Sequence, residues 1–379
     1  METNKNGIWV YFEQLEDPRE RRHFLHKLED LITIAVLGVI CGVEAWTEME
    51  DFGRIKKEFL QTFLELPNGI PSHDTFRRLF MNLDPEAFER CLMKWTEALS
   101  ATTEGKLVSI DGKCLRRSFD RAGEKAAIHM VSAWVEENQA VFGQVKVEDK
   151  SNEITAMPKL LALLNLQKAT VTIDAIGCQQ KIAAQIVEQG GDYLLALKGN
   201  QTQLHEDVSA FFTQARAQNF AGITHQFQRQ QEKGHGREEE RCVWVTEELS
   251  GLRTAGVWRD LRSLVMVERN RKVGQEAGTN EVHWYISSLP SQAVEKIAGA
   301  IRGHWKIENQ LHWRLDVTFH EDQGRLRAGH GAENFSRLRR MALNLIQQHT
   351  CRKKSVKRRQ KMAGWDNRFL LKCLGLGEA

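Results

Sequence analysis

Two aspartates stand at the ends of apolar runs, where a charge is costly. In KLVSIDGKCLRRS, residues 106–118, Asp111 follows Leu107, Val108 and Ile110 and precedes a glycine. In KATVTIDAIGCQQ, Asp174 follows Val171 and Ile173 and precedes Ala175. Both runs have the β-branched content of strands, so each carboxylate closes a strand. If the strands are neighbours the carboxylates converge, and converging carboxylates repel one another. A divalent cation removes that cost. Oxygen ligands with water completing an octahedron suit Mg²⁺, and Mn²⁺ accepts the same donors. Two such ions activate a water or hydroxyl and stabilise a leaving oxygen in phosphoryl transfer.

Such a site wants a third carboxylate. RGHWKIENQLHW places Glu308 four residues from both His304 and His312, so the three line one face of a helix. Ile301, Ile307, Leu311 and Leu315 fall on adjoining faces and anchor that helix. Asp316, Glu321 and Asp322 follow on the same stretch and rival Glu308 as third acid. A Zn²⁺ or Fe²⁺ site of His304, Glu308 and His312 is the competing use of this face. No HExxH spacing is present, and two strand-borne aspartates favour a hard cation. Trp305 and Trp313 are expected in the core rather than in base stacking.

The elements that must position these acids change character along the chain. Residues 22–98 have helical spacing, with 31–43 an apolar run of 13 residues, too short to cross a bilayer and read as a buried helix. SHDTFRRLFMNL restarts a helix at Ser72 or Asp74, with Phe76, Leu79, Phe80 and Leu83 inward and Arg77 and Arg78 outward. A helix-turn-helix-like DNA contact and an ordinary exposed helix face are equally compatible with those arginines. After Thr103 the order is three strands, then helix, strand, helix, strand, helix. Antiparallel strands followed by α/β crossovers give an α/β fold of the ribonuclease H-like kind, a mixed sheet with helices. From Phe220 to Pro290 the pattern is a β-rich insertion, and from Ser291 one long helix. The expected division is a helical N-terminal DNA-binding domain (1–100), a catalytic domain (101–219 and 291–350), the insertion (220–290) and a basic C-terminal tail (351–379).

Net charge over 379 residues is only +3. Between 325 and 361, however, twelve Lys or Arg meet one acid, Glu333. That asymmetry points to a polyanion. Seven scattered cysteines without a CxxC argue against a zinc ribbon and suit a reducing cytosol. The first residues lack a signal-peptide core, and no membrane role is expected.

SIDGK, TIDAIGCQ, LKGNQ, KGHGREEER and HWKIENQLHWRLDVTFHED occur in that order. Together they resemble the ISAs1-type insertion-sequence transposases, a branch of the IS4-like DDE group that includes the H-repeat-associated proteins. The resemblance spans nearly the whole chain. It implies that Asp111, Asp174 and Glu308 are a catalytic triad binding two Mg²⁺. It further implies that water cuts double-stranded DNA at the element's ends, and that the freed 3′-hydroxyl then attacks target DNA. A homodimer pairing two ends, in the bacterial cytoplasm at the nucleoid, is the implied assembly. The wider group's Tyr-x2-Arg-x3-Glu-x6-Lys signature is altered: Ile301, His304 and Leu315 take its Tyr, Arg and Lys positions.

Phosphate contacts are expected around the triad. His304, Arg302, His312 and Arg314 lie on its helix, and Lys113 and Arg116 follow Asp111. Lys198 and Asn200 end a strand in LKGNQ, where Asn200 reads equally well as a helix cap. His235 and Arg237 lie in KGHGRE, a glycine-spaced hairpin loop suited to close approach. A nuclease that cuts without joining, and a domesticated DNA-binding relative, remain the alternatives to an active transposase.

Overall fold

Apolar residues at helical spacing form five helices at the start of the chain: α1 (Leu28–Ile40), α2 (Trp46–Ile55), α3 (Lys57–Leu60), α4 (His73–Asn82) and α5 (Pro85–Ser100). The computed structural model describes residues 8–20, 24–100, 103–119, 126–148, 151–234, 237–273, 278–349, 351 and 353–375. The run from Leu31 to Ile40 is buried on every side, as a helix apolar all round must be. Ser72 caps α4 by accepting from the Thr75 N–H. Phe76, Leu79 and Phe80 face inward while Arg77 and Arg78 are exposed.

The sheet begins with β1 (Leu107–Cys114), β2 (His129–Val135) and β3 (Ala140–Lys146). Then come α6 (Glu153–Ala162), β4 (Thr170–Ile173), α7 (Gln180–Glu188), β5 (Asp192–Leu197) and α8 (Thr202–Ala217). β1 pairs antiparallel with β2 and parallel with β4, and β4 pairs parallel with β5. The order β3-β2-β1-β4-β5 is that of a ribonuclease H-like mixed sheet. Its strands are buried on both faces, which is why they read as nearly continuous apolar runs.

Four more strands follow: β6 (His225–Gly234), β7 (Arg237–Thr246), β8 (Ser263–Val273) and β9 (Thr279–Ser287). They do not form a separate layer. β9 pairs antiparallel with β5, so a single nine-stranded sheet runs from β3 to β6. Alternation along β8 sends Leu264 and Met266 to one face and Val265 and Val267 to the other. The second face is covered by α9 (Val294–Lys306) through Ile297, Ala298 and Ile301.

The expected single helix after Ser291 is interrupted. α9 passes into a π-helical turn at Ile307–His312 and then into α10 (Trp313–Phe319). α11 (Gly331–Gln348), α12 (Val356–Trp365) and α13 (Asn367–Cys373) complete the chain. The stretch read as a tail is therefore folded: Val356, Ala363, Phe369 and Leu370 share one hydrophobic core with α1, α4 and α11. The basic asymmetry also needs correction. Arg337, Arg339, Arg340 and Arg359 are buried, so four of its twelve cations face the interior. Arg337 pairs with Glu333 inside the stretch, but Glu89 beside Arg337 and Glu321 beside Arg340 lie outside it and do not enter a local charge count. Among the described residues no helix is long and apolar enough to cross a membrane.

Candidate active site

Strand register brings the two aspartates together. Ile110 of β1 pairs with Ile173 of β4, and Asp111 and Asp174 are the next residue on each parallel strand. Asp174 caps the short 3₁₀ turn after β4 by accepting from the Ala175 N–H. Asn200 Nδ2 donates to the Ala175 carbonyl, 2.6 Å away, pinning the same turn. It does not cap α8, which starts without a side-chain cap.

The third acid arrives on the π turn. A π turn inserts extra backbone per revolution and is frequent at functional sites. Here the Trp313 N–H bonds the Glu308 carbonyl. Ile307, Leu311 and Leu315 are fully buried and hold the turn against the core. Glu308 and Asp111 line one cleft, close enough for each carboxyl to feel the other's charge. Burial raises the Glu308 carboxyl above its ordinary range; His312 opposes this, and the Asp111 charge adds to it. Asp111 behaves oppositely. Burial pushes it up, but contact with His312 and the charges of His312 and His304 outweigh that and hold it low.

The two helix histidines reach different partners. His312 Nε2 lies 3.2 Å from Asp111 Oδ2. His304 Nδ1 lies 3.1 Å from the Thr172 hydroxyl, which in turn lies 3.1 Å from Ser109 Oγ. Burial holds His304 below its ordinary value, against the raising charges of Asp111 and Asp174. A cleft of about 240 Å³ opens beside these groups, lined by Asp111, Asp174, Lys198, Tyr285, Trp305 and Glu308.

The other expected contacts divide. Lys198 Nζ is 3.5 Å from Asp174 Oδ1 and more than half exposed. Arg116 is 81% exposed, with Asp322 3.3 Å away. Lys113 is not presented to solvent: it is buried against Asp316 and Glu321. Arg302 pairs with Glu232 of β6, tying α9 to the insertion. Arg314 is half-buried, and burial followed by the Arg359 charge lowers it. Arg237 pairs with Gly234 across the β6–β7 hairpin, as expected for a tight loop, while His235 lies outside the described residues. The tryptophans overturn expectation. Trp305 and Trp313 are 52% and 58% exposed, because Ile301, Ile307, Leu311 and Leu315 already occupy the core face. The Arg269 guanidinium stacks over the Trp305 ring at 5.6 Å.

Sequence reasoning missed Glu153. It lies in the first turn of α6, is 9% exposed, and has its carboxyl 3.3 Å from His129 Nε2. Burial raises it; His129 opposes, and the charges of Asp111 and Asp174 raise it further. An acid in a first helical turn ordinarily complements the helix dipole, so nothing in the sequence marked it.

The donor set fits a hard divalent cation: carboxylate oxygens from β1, from the end of β4 and from a helix line one cleft, although β1 itself runs three residues past Asp111 to Cys114. No group of three or more ligands is already gathered at metal-holding geometry among the described residues. Asp174 leans instead toward Lys198.

A Transposase DDE domain matches residues 102–345, and a DDE_Tnp_1-associated segment matches 9–96. The chain belongs to the DDE transposases. It is 42% identical over 356 residues to a putative transposase, YncI, of Escherichia coli O157:H7, covering 93% of this chain and 90% of that protein. It is 37% identical over 366 residues to the H repeat-associated putative transposase YhhI of Escherichia coli K12, covering 95% of each. A solved piggyBac transposase synaptic complex with hairpin DNA gives a TM-score of 0.35 at 11% identity, over 98% of this chain and 80% of that one. Domains of this family generally use divalent metals.

Proposed function

We propose that Asp111, Asp174 and Glu308 are the catalytic triad of a transposase that cuts DNA at element ends and joins the freed 3′-ends to target DNA. The observation that carries this is convergence: Asp111 and Asp174 directly follow the last paired residues of parallel β1 and β4, and Glu308 from the π turn lines the same cleft. Two Mg²⁺ held by these carboxylates would supply an activated oxygen nucleophile and stabilise the leaving oxygen.

The chain's own residues orient the acids and the DNA. His312 fixes Asp111 on the side away from solvent, and the Ser109–Thr172–His304 series fixes the helix over β1 and β4. Lys198 is exposed beside Asp174, Arg116 is exposed beyond the end of β1 next to Asp322, and both suit phosphate contact. Arg237 at the β6–β7 hairpin suits an approach to flanking DNA. Lys113 acts from within, holding the β1 end against Asp316 and Glu321. Joining two ends requires two protomers on one DNA assembly.

The test is strand cleavage of double-stranded DNA carrying the gene's own flanks, in Mg²⁺ or chelator, by wild type and Asp111→Asn. Metal-dependent nicking at the boundary, lost in the variant, supports the triad. Strand transfer into a plasmid separates a transposase from a nuclease. Tight end binding without cleavage in Mg²⁺ or Mn²⁺ overturns the active enzyme and leaves a DNA-binding relative.

A further inference from the structure

We propose that Glu153 is a fourth carboxylate of the same metal site, holding the divalent cations from the face of the sheet opposite Glu308. This rests on the triad reading above. Side chains alternate along a strand. On β1, Ser109 and Asp111 point to the α9 face, where Ser109 joins Thr172 and His304. Ile110 and Gly112 point to the α6 face, where Ile110 packs with Met157 and Leu160. Glu153 opens α6 directly over Gly112. A Cβ on Gly112 would lie no more than 2.7 Å from either carboxyl oxygen of Glu153. The residue after Asp111 is thus a glycine whose missing side chain makes room for a carboxylate.

The surroundings of that carboxylate point to a cation. It is 9% exposed, and its neighbours in charge are His129 and His312 on one hand and Asp111 and Asp174 on the other. A buried carboxylate among carboxylates is disfavoured unless positive charge enters. The ordinary role for a first-turn glutamate, facing solvent at a helix N-terminus, does not require burial beside Asp111. Glu153 and Glu308 lie on opposite faces of β1 where the neighbouring β4 has ended, so a cation in that opening beside Asp111 would meet oxygen donors from both.

The test measures Mn²⁺ binding to the full chain by calorimetry, without DNA, alongside the Mg²⁺ concentration for half-maximal end cleavage. The proteins are wild type, Glu153→Gln, Glu153→Asp and Asp111→Asn. Glu153→Gln is expected to weaken Mn²⁺ binding about tenfold or more and to raise the Mg²⁺ requirement similarly, with cleavage recovering at high metal. Glu153→Asp should fall between. If Glu153→Gln does not fold, Gly112→Ala displaces the carboxylate while keeping it, and should raise the metal requirement in the same way. Wild-type binding and metal requirement in the folded Glu153 variant, with binding lost in Asp111→Asn, overturn this role and leave Glu153 as a partner of His129. Wild-type binding in Asp111→Asn as well would overturn the triad itself.

Discussion

Two groups of acids are built differently. In one, the buried Glu89, Glu321 and Glu333 are each matched by a cation. Arg337 bonds Glu89 at 2.7 Å and Glu333 at 2.9 Å, while Arg340 and Lys113 each lie 3.2 Å from Glu321. In the other, Asp111, Glu308 and Glu153 have histidines and one another. The matched group is complete as a protein structure. On the reading proposed above, the unmatched group is completed by a bound cation. Lys113 joins them: two residues beyond Asp111, it belongs to the matched set and fixes the strand that carries the unmatched one.

The same substitution in the two groups should have opposite effects. Glu308→Gln is expected to cut end cleavage by about 10²–10³-fold, the loss typical of removing one group that stabilises transition-state charge. Its thermal midpoint at pH 7 should hold or rise, because the fold already disfavours the ionised Glu308. Glu321→Gln is expected to cost about 3–5 kcal/mol in urea unfolding, since it strands Arg340 and Lys113 in the interior. Equal stability losses in both would erase the distinction.

Acid should separate the groups next. Burial raises Glu321, but Arg340, Lys113, Arg339 and the Ser336 hydroxyl outweigh it and hold it at about 2, against an ordinary 4.5. Its stabilisation is therefore fully present above pH 4.5 and is lost as pH falls toward 2. An acid titration of Glu321→Gln should lack that part of the transition. Glu308 has the reverse sign: its contribution is lost as pH rises through its raised value, and a cation recovers it. Added Mg²⁺ should raise the melting temperature more at pH 8 than at pH 5. A pH-independent Mg²⁺ effect would place the ion elsewhere.

The smallest effect concerns the tryptophans beside the unmatched group. Trp305→Ala should cost no more than about 1 kcal/mol, mainly its contact with Arg269. Trp134→Ala, in the fully buried core, should cost about 3–5 kcal/mol. A large loss at Trp305 would show that its exposed ring carries structure.

What the sequence displayed follows the range of the interactions. The apolar runs before Asp111 and Asp174 were legible because they are written locally, though β1 runs on past Asp111 to Cys114; two hairpin reversals and then α6 bring β4 back parallel to β1. The fate of Arg337 and Arg340 was not, since Glu89 lies far back along the chain. Nor was the continuity of β9 with β5, because a β-rich segment reads alike whether it adds to a sheet or stands apart. The π turn leaves Glu308 near the expected face, while Trp305 and Trp313 face outward because aliphatic neighbours already filled the core side.

The shared core of α1, α4, α11, α12 and α13 has a consequence for synthesis. Phe12 and Leu31 leave the ribosome early, whereas Leu338, Ile346 and Leu370 leave last. Contacts of such long sequence separation form late and slowly. A nascent chain ending before α9 would carry both aspartates but neither Glu308 nor the helices that close its first core. The third acid of the proposed triad and the burial of the N-terminal helices thus both await the same later part of the chain.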